Sequence, residues 1–186
     1  MQPADLFKEL IKNIASLLKE HKYKRYGGNV FYTNQQGNWG FIGFQKSMGN
    51  TYYETRFTIN LGIFSTILQD FFDPEKKPSL YECRGCWKYR IGHLVPDYDY
   101  DKWWSITEET IPEQIIQEIR DILITHAIPE IERNISDKQL LNTWLTGKLT
   151  GITHIQRLTN LSVLLKHYGM ENQLKPVLDE LQQYLP

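Results

Sequence analysis

The hydrophobic pattern is strongest over residues 39–64, WGFIGFQKSMGNTYYETRFTINLGIF, where two strand-like runs joined by Met48-Gly49-Asn50-Thr51 read as a long β-hairpin. From Phe57 the alternation is regular, with Phe57, Ile59, Leu61 and Ile63 on one face and Thr58, Asn60 and Gly62 on the other. In the first run Ile42, Phe44 and Met48 share a face while Trp39 and Phe41 lie opposite, which predicts cover on both sides near its start. Upstream, Leu6, Phe7, Leu10, Ile11, Ile14, Leu17, Leu18 and His21 recur at helical spacing and predict a helix over 5–22 with Asp5 as N-cap. Gly27-Gly28 should end that segment, and Val30 to Gln35 should start a short strand leading into the hairpin.

Beyond the hairpin the period changes to that of a helix over Ser65 to Phe72, stopped by Asp73-Pro74. Residues 81–94, YECRGCWKYRIGHL, alternate again, with Tyr81, Cys83, Trp87, Tyr89 and Ile91 inward and Glu82, Arg84, Lys88 and Arg90 outward. Trp103 to Ile106 predicts one more short strand, in which one of the adjacent Trp pair faces the core and the other faces out. The remainder is helical. Thr110-x-x-Glu113, Ser136-x-x-Gln139 and Thr153-x-x-Gln156 have capping-box spacing, Pro129 should break or restart the first of these helices, and Gly169 should stop the helix before an αα-hairpin closes over residues 152–185. These elements predict an α+β fold. An antiparallel sheet of four to five strands is packed by the first helix and the 111–128 helix over residues 1–135, and a C-terminal helical extension spans 136–186.

Composition narrows the functional classes. A chain of 186 residues can bury roughly 70% of its unfolded surface, so a true core is available. Lys and Arg total 21 against 22 Asp and Glu, so no global field draws the chain to nucleic acid or an anionic membrane, and neither is an expected partner. The apolar runs fall far short of the ~20 residues that span a bilayer. The start, MQPADLFKEL, lacks a signal-peptide layout, and with two Cys the expected location is a reducing cytoplasm.

Gly27-Gly28-Asn29-Val30-Phe31-Tyr32, Phe44-Gln45-Lys46-Ser47, Phe57-Thr58-Ile59-Asn60-Leu61-Gly62, Arg90-Ile91-Gly92-His93-Leu94 and Asp101-Lys102-Trp103-Trp104 occur in that order. The series resembles the bacterial family known as domain of unknown function 4304 over about residues 5–130. The resemblance implies one α+β domain in a bacterial cytoplasm and, by analogy with the small bacterial proteins it accompanies, an interaction or immunity-type role. It brings no catalytic residues.

Three constellations hold the chemistry available. Cys83-x-x-Cys86 has redox or zinc spacing, but residues three apart on a strand face opposite sides with Cα atoms about 10 Å apart, and no second pair completes a zinc site. Asp97, Asp99, Asp101 and Glu108 match the acidic spacing of a calcium loop, yet Lys102 stands where its sharp turn needs Gly and a strand precedes it. No metal or other cofactor is therefore expected. Arg84, Lys88 and Arg90, with Gln45 and Lys46 nearby, form a cationic strand face suited to an anionic group or an acidic protein surface, against the plainer reading of a solvated sheet face. Trp103, Trp104 and Tyr52 are the aromatic candidates for a binding hot spot. The resulting reading is a non-enzymatic domain that binds another protein. The alternative is a small-ligand or metal-assisted enzyme with a pocket near Gln45, Arg90 and His93, which no nucleophile motif or phosphate-binding loop supports.

Overall fold

The computed structural model describes residues 2–28, 30–35, 37–75, 86–96 and 101–184. The fold is α+β, with an antiparallel sheet, an N-terminal helix and helices after the sheet. Helix α1 (Pro3–Glu20) is followed by strands β1 (Lys24–Tyr26), β2 (Val30–Gln35), β3 (Asn38–Lys46) and β4 (Thr55–Phe64). Then come helix α2 (Thr66–Phe72), β5 (Trp87–Arg90), a single 3-10 turn (Ile91–Leu94) and β6 (Trp104–Ile106). Helices α3 (Pro112–Ile122), α4 (Ile128–Asn134), α5 (Asp137–Leu145), α6 (His154–His167) and α7 (Glu171–Gln182) complete the chain. The strands lie in the order β1-β2-β3-β4-β5, and β6 also pairs with β4.

Strand β1 was not foreseen. The first helix ends at Glu20 because Lys22 takes a left-handed φ of 66°, and the amides of Lys22 and Tyr23 close back on the carbonyls of Lys19 and Leu18. Gly27, with φ 63°, serves the β1–β2 turn and does not end the helix. Three further expectations are corrected. Asp5 sits inside the first turn and pairs with Lys8 at 2.7 Å, since Pro3 starts the helix earlier with Gln2 as cap. Met48 belongs to the hairpin loop and is fully exposed, not on the face with Ile42 and Phe44. The 81–94 strand ends at Arg90; the 3-10 turn that follows still buries Ile91, which mimics continued alternation, and residues 81–85 lie outside the described residues.

The chain forms two compact units: residues 1–34, 41–61 and 89–132, and residues 35–40, 62–88 and 133–186. In the first, α1 packs on the Phe57 face of the sheet and against α3. Its centre is aromatic. Phe57 meets Phe7 edge-on at 5.0 Å, tilts against Phe44 at 6.3 Å and stacks on Trp104 at 5.5 Å. Ile59 and Leu61 continue that buried face, and Thr58, on the opposite face, is buried too, its hydroxyl donating to the Lys102 carbonyl at 2.9 Å. A π-helical turn over Leu123–Ala127 absorbs Pro129, whose ring cannot follow an unbroken α-helix, and α4 restarts after it.

The second unit is tied by buried polar groups. Asn38 donates to the Ile135 carbonyl at 2.9 Å and accepts from the Thr66 amide at 3.0 Å. Thr150 accepts from the Trp144 indole and donates to the Cys86 carbonyl, both at 2.9 Å. Gly151, at φ 72°, passes so close to β5 that an added Cβ would lie 1.9 Å from the Lys88 carbonyl oxygen. Helices α6 and α7 pack as an antiparallel pair, and Gly169 makes the expected stop with φ 67°.

Candidate functional site

The antiparallel register of β4 and β6 builds the most distinctive polar surface of the first unit. Phe57 lies opposite Trp104 and Arg56 opposite Ser105. Alternation then sends Phe57 and Trp104 to the core and Arg56 and Trp103 to the other face. Trp103 is half-buried and Trp104 buried, as expected of the pair. Arg56 places its guanidinium carbon 5.8 Å from the Trp103 ring centre, and Arg90, arriving from β5, places its own at 5.6 Å. At these distances the negative face of the indole attracts each guanidinium.

Arg90 is further oriented by Asp101, whose carboxylate lies 3.4 Å from Nε. Its Nη1 is buried and has no hydrogen-bond partner among the described residues. Ser105 donates its hydroxyl to Glu54, occupying that carboxylate on the same face. Asn60 Nδ2 donates to Gln45 Oε1 at 2.8 Å along the β3–β4 pair.

Below this surface, Lys102 is buried and paired with Glu118 at 2.6 Å, with its ammonium 5.0 Å from the centre of Trp104. The other Glu118 oxygen accepts from the Trp104 indole at 3.0 Å. Trp104 is thus a core residue that anchors the short β6 and fixes where Trp103 stands.

The remaining predicted site residues are dispersed. Lys46 is on the α1 side of the sheet, 4.8 Å over the Phe7 ring, while Gln45 faces the other way beside Asn60. His93 is exposed on the 3-10 turn with its ring edge-on to Tyr89 at 5.7 Å. Burial raises the Tyr89 hydroxyl above the ordinary tyrosine range, with Glu130 adding to it. Lys88 belongs to the second unit, where its amide donates to the Thr150 carbonyl at 2.8 Å. Arg84, Cys83, Asp97 and Asp99 lie outside the described residues. Among the described residues no group of three or more His, Cys, Asp and Glu is placed to hold a metal ion, and no helix is long and apolar enough to cross a membrane.

Arg56 is the residue that sequence reasoning missed. In the alternation it is simply the outward neighbour of Phe57, and only the pairing of β4 with β6 brings it to Trp103.

The family described as Domain of unknown function (DUF4304) matches residues 14–133. No curated protein and no solved structure matches the chain.

Proposed function

The chain belongs to the DUF4304 family, whose description assigns no activity, so we propose a function from the surface itself: a cytoplasmic module that binds a carboxylate-bearing protein through Arg56, Trp103 and Arg90. One observation carries this reading. Trp103 gathers two guanidiniums on one face of the sheet, and Arg56 is exposed there. A guanidinium fork matches a carboxylate in geometry, and Trp with Arg is the combination that dominates protein-binding hot spots. A toxin held inactive in a complex is one partner of this kind.

Capture of the tagged chain from host lysate, wild type beside an Arg56→Glu/Arg90→Glu variant, tests the reading. The expected result is a near-stoichiometric protein recovered by the wild type and lost by the variant while its melting temperature holds. Equal recovery by both, or no specific recovery by the wild type, would overturn it.

A further inference from the structure

The β3–β4 loop gathers three exposed apolar or aromatic side chains of the first unit at one place. Met48 is fully exposed, and Tyr52 and Tyr53 are 67% and 71% exposed, with their rings edge-on at 5.1 Å. Such exposure ordinarily accompanies a loose loop, but this one is held by its own polar groups. Asn50 Oδ1 accepts from the Arg56 amide at 2.8 Å, and Thr51 Oγ1 accepts from the amides of Tyr53 and Glu54 at 3.2 Å each. Ser47 Oγ accepts from the Gly49 amide at 3.1 Å, and the Thr51 amide donates to the Glu54 carbonyl at 3.0 Å. The loop's polar atoms are thus spent inward while its apolar and aromatic groups point out.

Residues 47–53, SMGNTYY, carry no charge, whereas the hairpin legs just below the tip carry Lys46, Glu54 and Arg56, net positive by one, with the Glu54 carboxylate engaged by the Ser105 hydroxyl. The tip is also continuous with the Arg56 surface, because the Arg56 amide is the group that Asn50 holds. We infer that the tip is a preformed finger whose Tyr52 and Tyr53 enter an apolar cleft rimmed by carboxylates on the same protein partner that Arg56 and Arg90 engage. This rests on the binding reading above and adds the shape and chemistry of the partner's site. Tyrosine suits the role: it offers large amphipathic area with few rotatable bonds, so little is lost on ordering, and the loop backbone is already ordered. A bilayer is the poorer occupant, since the tip lies on no amphipathic helix and has no cluster of Lys and Arg of the size that anionic lipid attracts, only Lys46 and Arg56, with Glu54 between the tyrosines and Arg56.

The test replaces Tyr52, and separately Tyr53, with a photo-crosslinking phenylalanine analogue in the full chain, irradiates host cells, and maps the joined residues by mass spectrometry. The expected result is one protein, joined at apolar residues with Asp or Glu beside them. A Tyr52→Ser/Tyr53→Ser variant with unchanged melting temperature should recover at least tenfold less of that protein. Crosslinks to phospholipid, to a second copy of the chain, to scattered proteins, or to nothing would overturn the inference. The two readings fail separately. Should Arg56→Glu/Arg90→Glu abolish recovery while the tyrosine variant retains it, the cationic surface stands and the finger does not; the reverse pattern removes the cationic surface and keeps the finger.

Discussion

Thr150 shows how much of this protein rests on single polar atoms. Its hydroxyl is almost wholly buried, receives the indole proton of Trp144 and gives its own to the Cys86 carbonyl. Thr150→Val keeps the shape and deletes both bonds, leaving the Trp144 indole and the Cys86 carbonyl each short of one buried hydrogen bond, at about 1–3 kcal/mol each. We expect a loss of about 2–6 kcal/mol on those grounds, read as a lower denaturant midpoint with an unchanged slope. A variant within 0.5 kcal/mol of wild type would show that the network has no such weight. Nothing local marks Thr150 in the sequence, where Leu149-Thr150-Gly151 resembles any turn and its partner Cys86 is 64 positions away. Arg56 was illegible for the same reason. Trp103 and Trp104, by contrast, were readable, because adjacent strand residues must face opposite sides.

At the scale of elements, legibility follows how local the forces are. The helix start at Thr153 was written in four residues, and the full box forms: Thr153 Oγ1 accepts from the Gln156 amide at 3.2 Å and Gln156 Oε1 accepts from the Thr153 amide at 3.0 Å. Ser136 likewise accepts from the Gln139 amide at 3.2 Å. The same spacing fails at Thr110. Pro112 forces Ile111 into an extended conformation, φ −86° and ψ 104°, so Ile111 becomes the cap, and the Thr110 hydroxyl turns back to the Thr107 amide at 2.8 Å. Thr153→Ala should therefore cost about 1 kcal/mol in chemical denaturation, whereas Thr110→Ala removes no cap of α3. A Thr153→Ala variant as stable as wild type would mean that neighbouring packing alone holds the start of α6. Periods of 2 and 3.6 likewise disclosed most strands and helices, but not β1, whose three residues are all exposed. They also left unread the π-helical turn that reconciles α3 with Pro129.

Across the whole molecule the α+β class was legible because each pattern is local, whereas the two units gather segments from distant parts of the chain and so depend on long-range pairing. At this scale the tyrosines make the pH dependence one-sided. Burial raises Tyr23, Tyr89 and Tyr168 above the ordinary tyrosine value, with Glu132, Glu130 and Asp137 respectively adding to the effect. Tyr23 is the extreme case, with a buried hydroxyl that has no hydrogen-bond partner among the described residues. A group whose folded pKa exceeds its unfolded value holds its proton longer in the native state. Its contribution is complete below the unfolded value, near pH 10, and is lost as pH rises towards the folded one. Stability should thus be level in this respect from neutrality to about pH 9.5 and fall above pH 10, with each such proton adding at most about 1.4 kcal/mol per pH unit to the slope. Tyr23→Phe separates this from general charge repulsion, since it removes one titrating group and one unpaired hydroxyl. The variant should match or exceed wild type at pH 7 and decline less steeply between pH 10 and 11 in urea midpoints. A decline as steep as that of wild type would place the alkaline sensitivity elsewhere in the chain.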